Sequence, residues 1–124
     1  MRVLVCGSRD WADRDAIWCV LNGILRDNAD VVVIQGGARG ADYLALRWAY
    51  VNHQPNETHP ADWSKHDRAA GPIRNQQMLD EGKPDLVWAF TTKPLGQSKG
   101  TADMVSRAVA AGIPVYVVRH GDLG

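Results

Sequence analysis

The sequence predicts an α/β fold built on a mostly parallel sheet of about five strands in the order 3-2-1-4-5. Three observations lead there. Short β-branched runs alternate with segments of helical period along the whole chain, which is the pattern of a parallel sheet covered on both faces. Glycine stands at the ends of the first two runs. The length, 124 residues, suits one domain spanning 1–124 with a single core.

Arg2-Val3-Leu4-Val5-Cys6 reads as the first buried strand, stopped by Gly7. Asp13 caps a helix reaching about Asn28, with Ile17, Val20, Leu21, Ile24 and Leu25 on one apolar face, Trp18 at its edge and Gly23 signalling close packing on the sheet. Val31 to Ile34 is the second strand, and a helix from Gly40 to His53 follows, burying Ala41, Leu44, Ala45, Trp48 and Ala49. A short strand is expected near Glu57 to Pro60. Ala61 to Arg74 shows no period and reads as a functional loop. A helix from Pro72 to about Glu81 stops at Gly82. Asp85 to Phe90 is the fourth strand, Thr91 to Lys99 a polar loop. Gly100-Thr101 opens a helix with Met104, Val105, Ala108 and Val109 at core spacing and Gly112 as its stop, before a last strand at Pro114 to Val118 and a loosely held tail from Arg119.

Composition narrows the function. Fourteen basic residues balance fourteen acidic ones, which argues against broad nucleic-acid coating and leaves a local basic site open. Cys6 and Cys19 both read as buried thiols, with no disulfide framework. Neither a signal peptide nor a membrane-length apolar run is visible, so a cytoplasmic protein is expected. His53, His59, Asp62 and His66 match no zinc spacing and read as polar surface, so no metal is expected. Ser8 has no evident histidine–acid partner. The dinucleotide fingerprint fails at Gln35, and Gly96 to Thr101 misplaces both glycine and lysine for a phosphate-binding Walker loop. Trp63 is open between core packing and stacking on a base.

The 3-2-1-4-5 order gathers the carboxyl ends of strands 1, 2 and 4, where ligands of open α/β sheets bind. Gly7-Ser8-Arg9, Gly36 to Asp42 and Lys99-Gly100-Thr101 all lie there, and Arg74 begins the helix after the long loop. A glycine turn leading into a helix start offers unpaired amides to an anion. Arg9, Arg39, Arg74 and Lys99 can add charge. The expected cradle uses Gly36, Gly37, Arg39 and Gly40 for a phosphate, with Gly100 and Thr101 donating from the opposite helix start and Gly7, Ser8 and Arg9 lining the floor. Asp42 and Asp103 can each cap their own helix.

Gly7-Ser8-Arg9-Asp10-Trp11, Gly36 to Asp42, Pro60-Ala61-Asp62-Trp63, Arg68 to Asn75 and Gly100 to Met104 together resemble, in order, the SLOG superfamily and within it the YspA-like, cpYpsA-related group of bacteria and their phages. The resemblance covers nearly the whole chain. It implies a Rossmann-like fold, a nucleotide-derived small-molecule partner bound for sensing or sequestration, no cofactor, and a homo-oligomer, dimer or larger. It makes Asp42 and Asp103 candidates for ribose hydroxyls. More distantly it touches the LOG phosphoribohydrolases, which cleave the N-glycosidic bond of nucleoside monophosphates. Arg74-Asn75-Gln76-Gln77-Met78 is similar to their arginine element, and Arg74 with Asp103 would carry catalysis if the chain were such an enzyme. Their catalytic glutamate position is Met104 here, which can neither stabilise a ribosyl cation nor activate water. A third reading is single-stranded DNA binding like that of DprA, against which the balanced charge counts.

Overall fold

The computed structural model describes residues 1–120. Five strands, β1 (Arg2–Gly7), β2 (Val32–Gln35), β3 (Asn56–Thr58), β4 (Leu86–Thr91) and β5 (Val115–Arg119), form one sheet in the order β3-β2-β1-β4-β5. Every pairing is parallel. The helices are α1 (Arg14–Asp27), α2 (Ala41–Val51), α3 (Trp63–His66), α4 (Ala70–Gly82) and α5 (Lys99–Ala110). The chain winds from β1 outward to β3, then returns to the other side of β1 for β4. The crevice at that reversal opens at the carboxyl ends of the strands.

Alternation along β1 divides the core. Val3 and Val5 face α1 and α2, packing with Ile17, Leu21, Ala45, Trp48 and Phe90. Leu4 and Cys6 face α4 and α5, packing with Ile34, Met78, Val87, Met104 and Ala108. Burying each large apolar side chain contributes about 1.5–3 kcal/mol, and both layers hold several with no exposure. The Trp48 indole N–H donates to Asn22 Oδ1 at 2.8 Å, so its burial leaves no orphan donor.

Most elements form where expected, with shifts of one or two residues at their ends. Asp13 caps α1 by accepting the Ala16 amide at 3.2 Å. Five expectations are corrected. Residues 61–74 are not a plain loop: Asp62 caps the single turn of α3, a 3-10 turn spans Asp67–Ala69, and α4 begins at Ala70. A four-residue helix is too short to show a period. Gly82 does not stop α4 by turning left-handed; Lys83 does, at φ 47°, while Gly82 lies inside the helix end, close under Ile34. Val109 points outward, because the buried line of α5 runs Thr101, Met104, Ala108 and the next residue is turned about 100° away. Cys19 is exposed on α1. Gly23 packs against nothing on the sheet; its nearest neighbour would be the Arg26 guanidinium of its own helix.

The tail expectation fails in its first part as well. Arg119 belongs to β5, and the His120 amide donates to the Thr91 carbonyl at 2.8 Å; the rest of the tail lies outside the described residues. Trp11 is buried without having been expected in the core. It meets Phe90 edge-on at 5.4 Å and donates to the Asp13 carbonyl at 2.8 Å, closing the core beside the start of α1.

Gly40 joins α2 to the turn after β1. It sits at φ 77°, and a Cβ there would collide with the Ser8 carbonyl and the Arg9 backbone. Gly40→Ala is expected to cost roughly 2 kcal/mol or more, because strain from the positive φ adds to the clash. Urea unfolding of the variant checks this; an unchanged midpoint would show that the two segments separate freely.

Candidate functional site

Ser8 ties the end of β1 to its neighbours. Its amide donates to the Phe90 carbonyl at 2.9 Å, its hydroxyl accepts the Thr92 amide at 3.0 Å, and its carbonyl accepts the Trp11 amide at 3.2 Å and the Ala41 amide at 3.4 Å. Asp10 accepts the Thr92 hydroxyl at 2.8 Å. The turn after β1 is therefore clamped to both the β4 loop and the start of α2.

The glycine turn after β2 is held from inside. Asp42 Oδ2 accepts the Gly36 amide at 3.0 Å and the Ala38 amide at 3.3 Å. The buried Gln35 side chain accepts the Gly37 amide at 2.6 Å and donates to the Thr58 hydroxyl. Arg74 reaches across from α4 to donate to the Gly36 carbonyl at 2.8 Å and to Asn75 Oδ1 at 3.2 Å. A side chain at Gly36 would collide with that guanidinium, so glycine is needed there for Arg74 to arrive. This corrects the expected cradle. The amides of Gly36 and Gly37 already have protein partners, and an anion beside this turn meets guanidinium groups instead.

A cleft of about 800 Å³ opens over these ends. Gly7, Ser8, Arg9, Arg39, Asp42, Arg74, Lys99, Gly100, Thr101 and Asp103 all line it. Gly36 and Gly37 line a smaller adjoining pocket of about 300 Å³, which shares Arg9, Arg39 and Arg74 with the cleft. Gly40 is apart from both; it packs on the Ser8–Arg9 backbone. Arg68 and Lys93 also line the cleft, bringing its cations to six of the chain's fourteen. Among the described residues none of the six lies within ion-pair distance of a carboxylate.

The acidic groups of the cleft are differently placed. Asp103 accepts Asn75 Nδ2 at 3.0 Å and pairs with Arg107 Nε at 2.9 Å, and Arg107 extends to Gln76. It is pinned between α4 and α5. Met104 lies fully inside the core beneath, away from the cleft. Asp42 is nearly buried, and burial pushes its carboxyl up to about 6, a rise held in check by the Ala38 amide, Arg74, the Gly36 amide and Arg9. Burial, with Asp42 nearby, also pushes the Cys6 thiol upward, away from the reactive thiolate.

Sequence reasoning missed Asn75, which joins α4 to the Gly100 carbonyl at 3.1 Å as well as to Asp103. It is 4% exposed, and its only sequence signal is a polar residue beside Arg74 on a helix. Trp63, left open between core and ligand, is 52% exposed and borders both cavities.

A parallel 3-2-1-4-5 sheet with a cationic crevice at its switch point defines a Rossmann-like α/β protein. The chain belongs to the YspA, cpYpsA-related SLOG family, whose model matches residues 1–66. It is 44% identical over 127 residues to the Gene 61 protein of Mycobacterium phage D29, covering 98% of this chain and 97% of that protein. Its fold is similar to that of DNA processing protein A (DprA) from Streptococcus pneumoniae, with a TM-score of 0.77 and 17% identity over 98% of this chain. The chain spans about half of that larger structure, 51%.

Asp42 makes stability depend on pH. The folded protein holds this proton more tightly than an unfolded chain, whose carboxyl has the ordinary lower value. Its contribution is intact below about pH 4, declines as pH rises, and is lost above about pH 6, a cost of about 3 kcal/mol. Asp42→Asn keeps an acceptor for the two amides and removes the titration. Relative to the parent it is expected to gain stability between pH 4 and pH 7 in urea titrations; parallel curves would show that Asp42 is not the group responsible.

Proposed function

We propose that this chain, acting over 1–124 as one SLOG-like unit and as a homo-oligomer, binds a nucleotide-derived, phosphate-bearing small molecule, to sense or to sequester it. The observation that carries the reading is the set of six cations around one cleft, none ion-paired among the described residues, in a chain with no net charge. Unpaired cations facing one concavity cost self-repulsion unless an anion joins them. Membership of the SLOG family supports a nucleotide-related ligand.

In this reading Arg9, Arg39 and Arg74 meet an anionic group beside the glycine turn, and Lys99, Gly100 and Thr101 offer further donors. Trp63 offers a half-exposed ring for a base. Hydrogen bonds to charged groups contribute about 1.5–3 kcal/mol each, so a few suffice for micromolar binding. Binding is favoured over glycosidic cleavage because Asp103 is already held by Asn75 and Arg107, and Met104 is in the core. A second reading, binding of single-stranded DNA, draws on the likeness of the fold to DNA processing protein A and on the same cations. Among the described residues no helix is long and apolar enough to cross a membrane.

A panel of nucleoside monophosphates, ADP-ribose and cyclic nucleotides, followed by thermal shift and product release together, tests the reading. A shift without products is expected. Release of base and ribose phosphate would convert the binder into an enzyme, and binding confined to oligonucleotides with a steep salt dependence would favour the second reading. Arg39→Ala is expected to weaken binding about tenfold or more; unaltered affinity would remove the guanidinium site beside the glycine turn.

A further inference from the structure

We propose that the cleft has two separate anion-binding poles, and that its ligand carries phosphate groups on both sides of a sugar. The inference rests on the phosphate-binding reading and specifies its ligand class. The first pole is the guanidinium cluster of Arg9, Arg39 and Arg74, which also lines the smaller side pocket. It works through side chains, since Asp42 and Gln35 have taken the turn amides.

The second pole is the start of α5. Ser98 precedes the helix and provides no side-chain cap. The first intrahelical bond runs from the Ala102 amide to the Ser98 carbonyl, so the amides of Lys99, Gly100 and Thr101 lie before it, where a helix has no internal acceptors. Thr101 adds an independent sign. The residue is 7% exposed and lines the cleft, and no hydrogen bond of its hydroxyl to a described residue is seen, so the small exposed part of it opens on the cavity where a ligand can meet it. Lys99 lines the same cleft, with no carboxylate within ion-pair distance among the described residues.

Arg39 follows β2 and Lys99 follows β4, strands that lie on either side of β1, while Arg9 follows β1 and Arg74 reaches in from α4. Neighbouring strands are about 4.8 Å apart, so the strand ends that lead to Arg39 and Lys99 are roughly 10 Å apart. Of the three carboxylates lining the cleft, Asp103 is paired with Arg107, Asp42 holds the turn amides and Asp10 accepts the Thr92 hydroxyl; among the described residues none lies within ion-pair distance of a cation of either pole. One phosphate touches one pole. A diphosphate, whose phosphorus atoms share a bridging oxygen, also sits at one pole. A sugar substituted at both its 3′ and 5′ oxygens reaches both. That unit exists free, as a nucleoside 3′,5′-bisphosphate, and inside a single nucleic-acid strand.

Calorimetric titration with the 5′-monophosphates, 5′-diphosphates and 3′,5′-bisphosphates of the four ribonucleosides, and with a pentanucleotide of mixed sequence, tests the proposal on the full chain. For at least one base the bisphosphate is expected to bind about tenfold or more tightly than both the monophosphate and the diphosphate. Thr101→Val, which keeps the shape, and Lys99→Gln, at an exposed position, are each expected to bring that ratio toward one. Arg39→Ala is expected to weaken both probes together. A pentanucleotide that matches the bisphosphate identifies the strand as the source; one that binds much more weakly identifies the free nucleotide. Monophosphate and bisphosphate affinities within threefold of each other overturn the two poles while leaving phosphate binding in place. Failure of every probe overturns both.

Discussion

The structure of the site depends on one buried carboxylate. Asp42 is the second residue of its helix and reaches back to hold two amides of the turn that precedes it. Burying that charge is costly, and the cost shows in the raised proton affinity. Two backbone amides, Arg74 and Arg9 offset part of it. In return the glycine turn has one shape, and Arg74 has a fixed carbonyl to grip. Without Asp42, two buried amides would face no acceptor, and the turn would lose the reason for its geometry.

From this constraint follows an exchange of roles between two loops with similar composition. Both the turn after β2 and the start of α5 contain glycine and a following helix. A glycine-rich helix start is an anion site only while its amides are free. After β2 the protein has satisfied its own amides, and Gly36 instead leaves room for a guanidinium. Before α5 there is no capping side chain, and the amides remain available. The sheet order then sets these unlike ends on opposite sides of β1, with guanidinium groups beside the turn after β2 and Lys99 at the start of α5.

Much of the fold was legible in the residues. Apolar runs marked four of the strands, the short polar third strand was expected only near Glu57 to Pro60 and lies at Asn56–Thr58, and the apolar spacing of Ile17, Leu21, Ala45 and Trp48 marked the faces that pack. Parallel order followed from alternation of strands and helices. The signals failed where they were short or local. Residues 61–74 hold one helical turn and a 3-10 turn, neither long enough to show a period. Val109 had the right spacing but lies a residue past the buried line of α5. Ten residues expected at the site do line the cleft. Gly40 does not, because its backbone is packed against Ser8 and Arg9, a contact made by chain distant in sequence.

The sequence by itself determined the alternation of strands and helices and put Arg9, Arg39, Lys99 and Thr101 just after strands or at a helix start, since periodicity and strand ends are properties of neighbouring residues; the pairing of distant strands set the order that brings them, with Arg74, to one edge. The tertiary structure decided which of those groups are free. Whether an amide, a carboxylate or a hydroxyl is available to a ligand depends on partners brought from elsewhere: Gly36 is met by Asp42 and Arg74, Asp103 by Asn75 and Arg107, and the Thr101 hydroxyl by none of the described residues. Hydrogen bonds saturate, so a donor claimed from within is lost to the ligand, and that accounting closes only when the chain has folded.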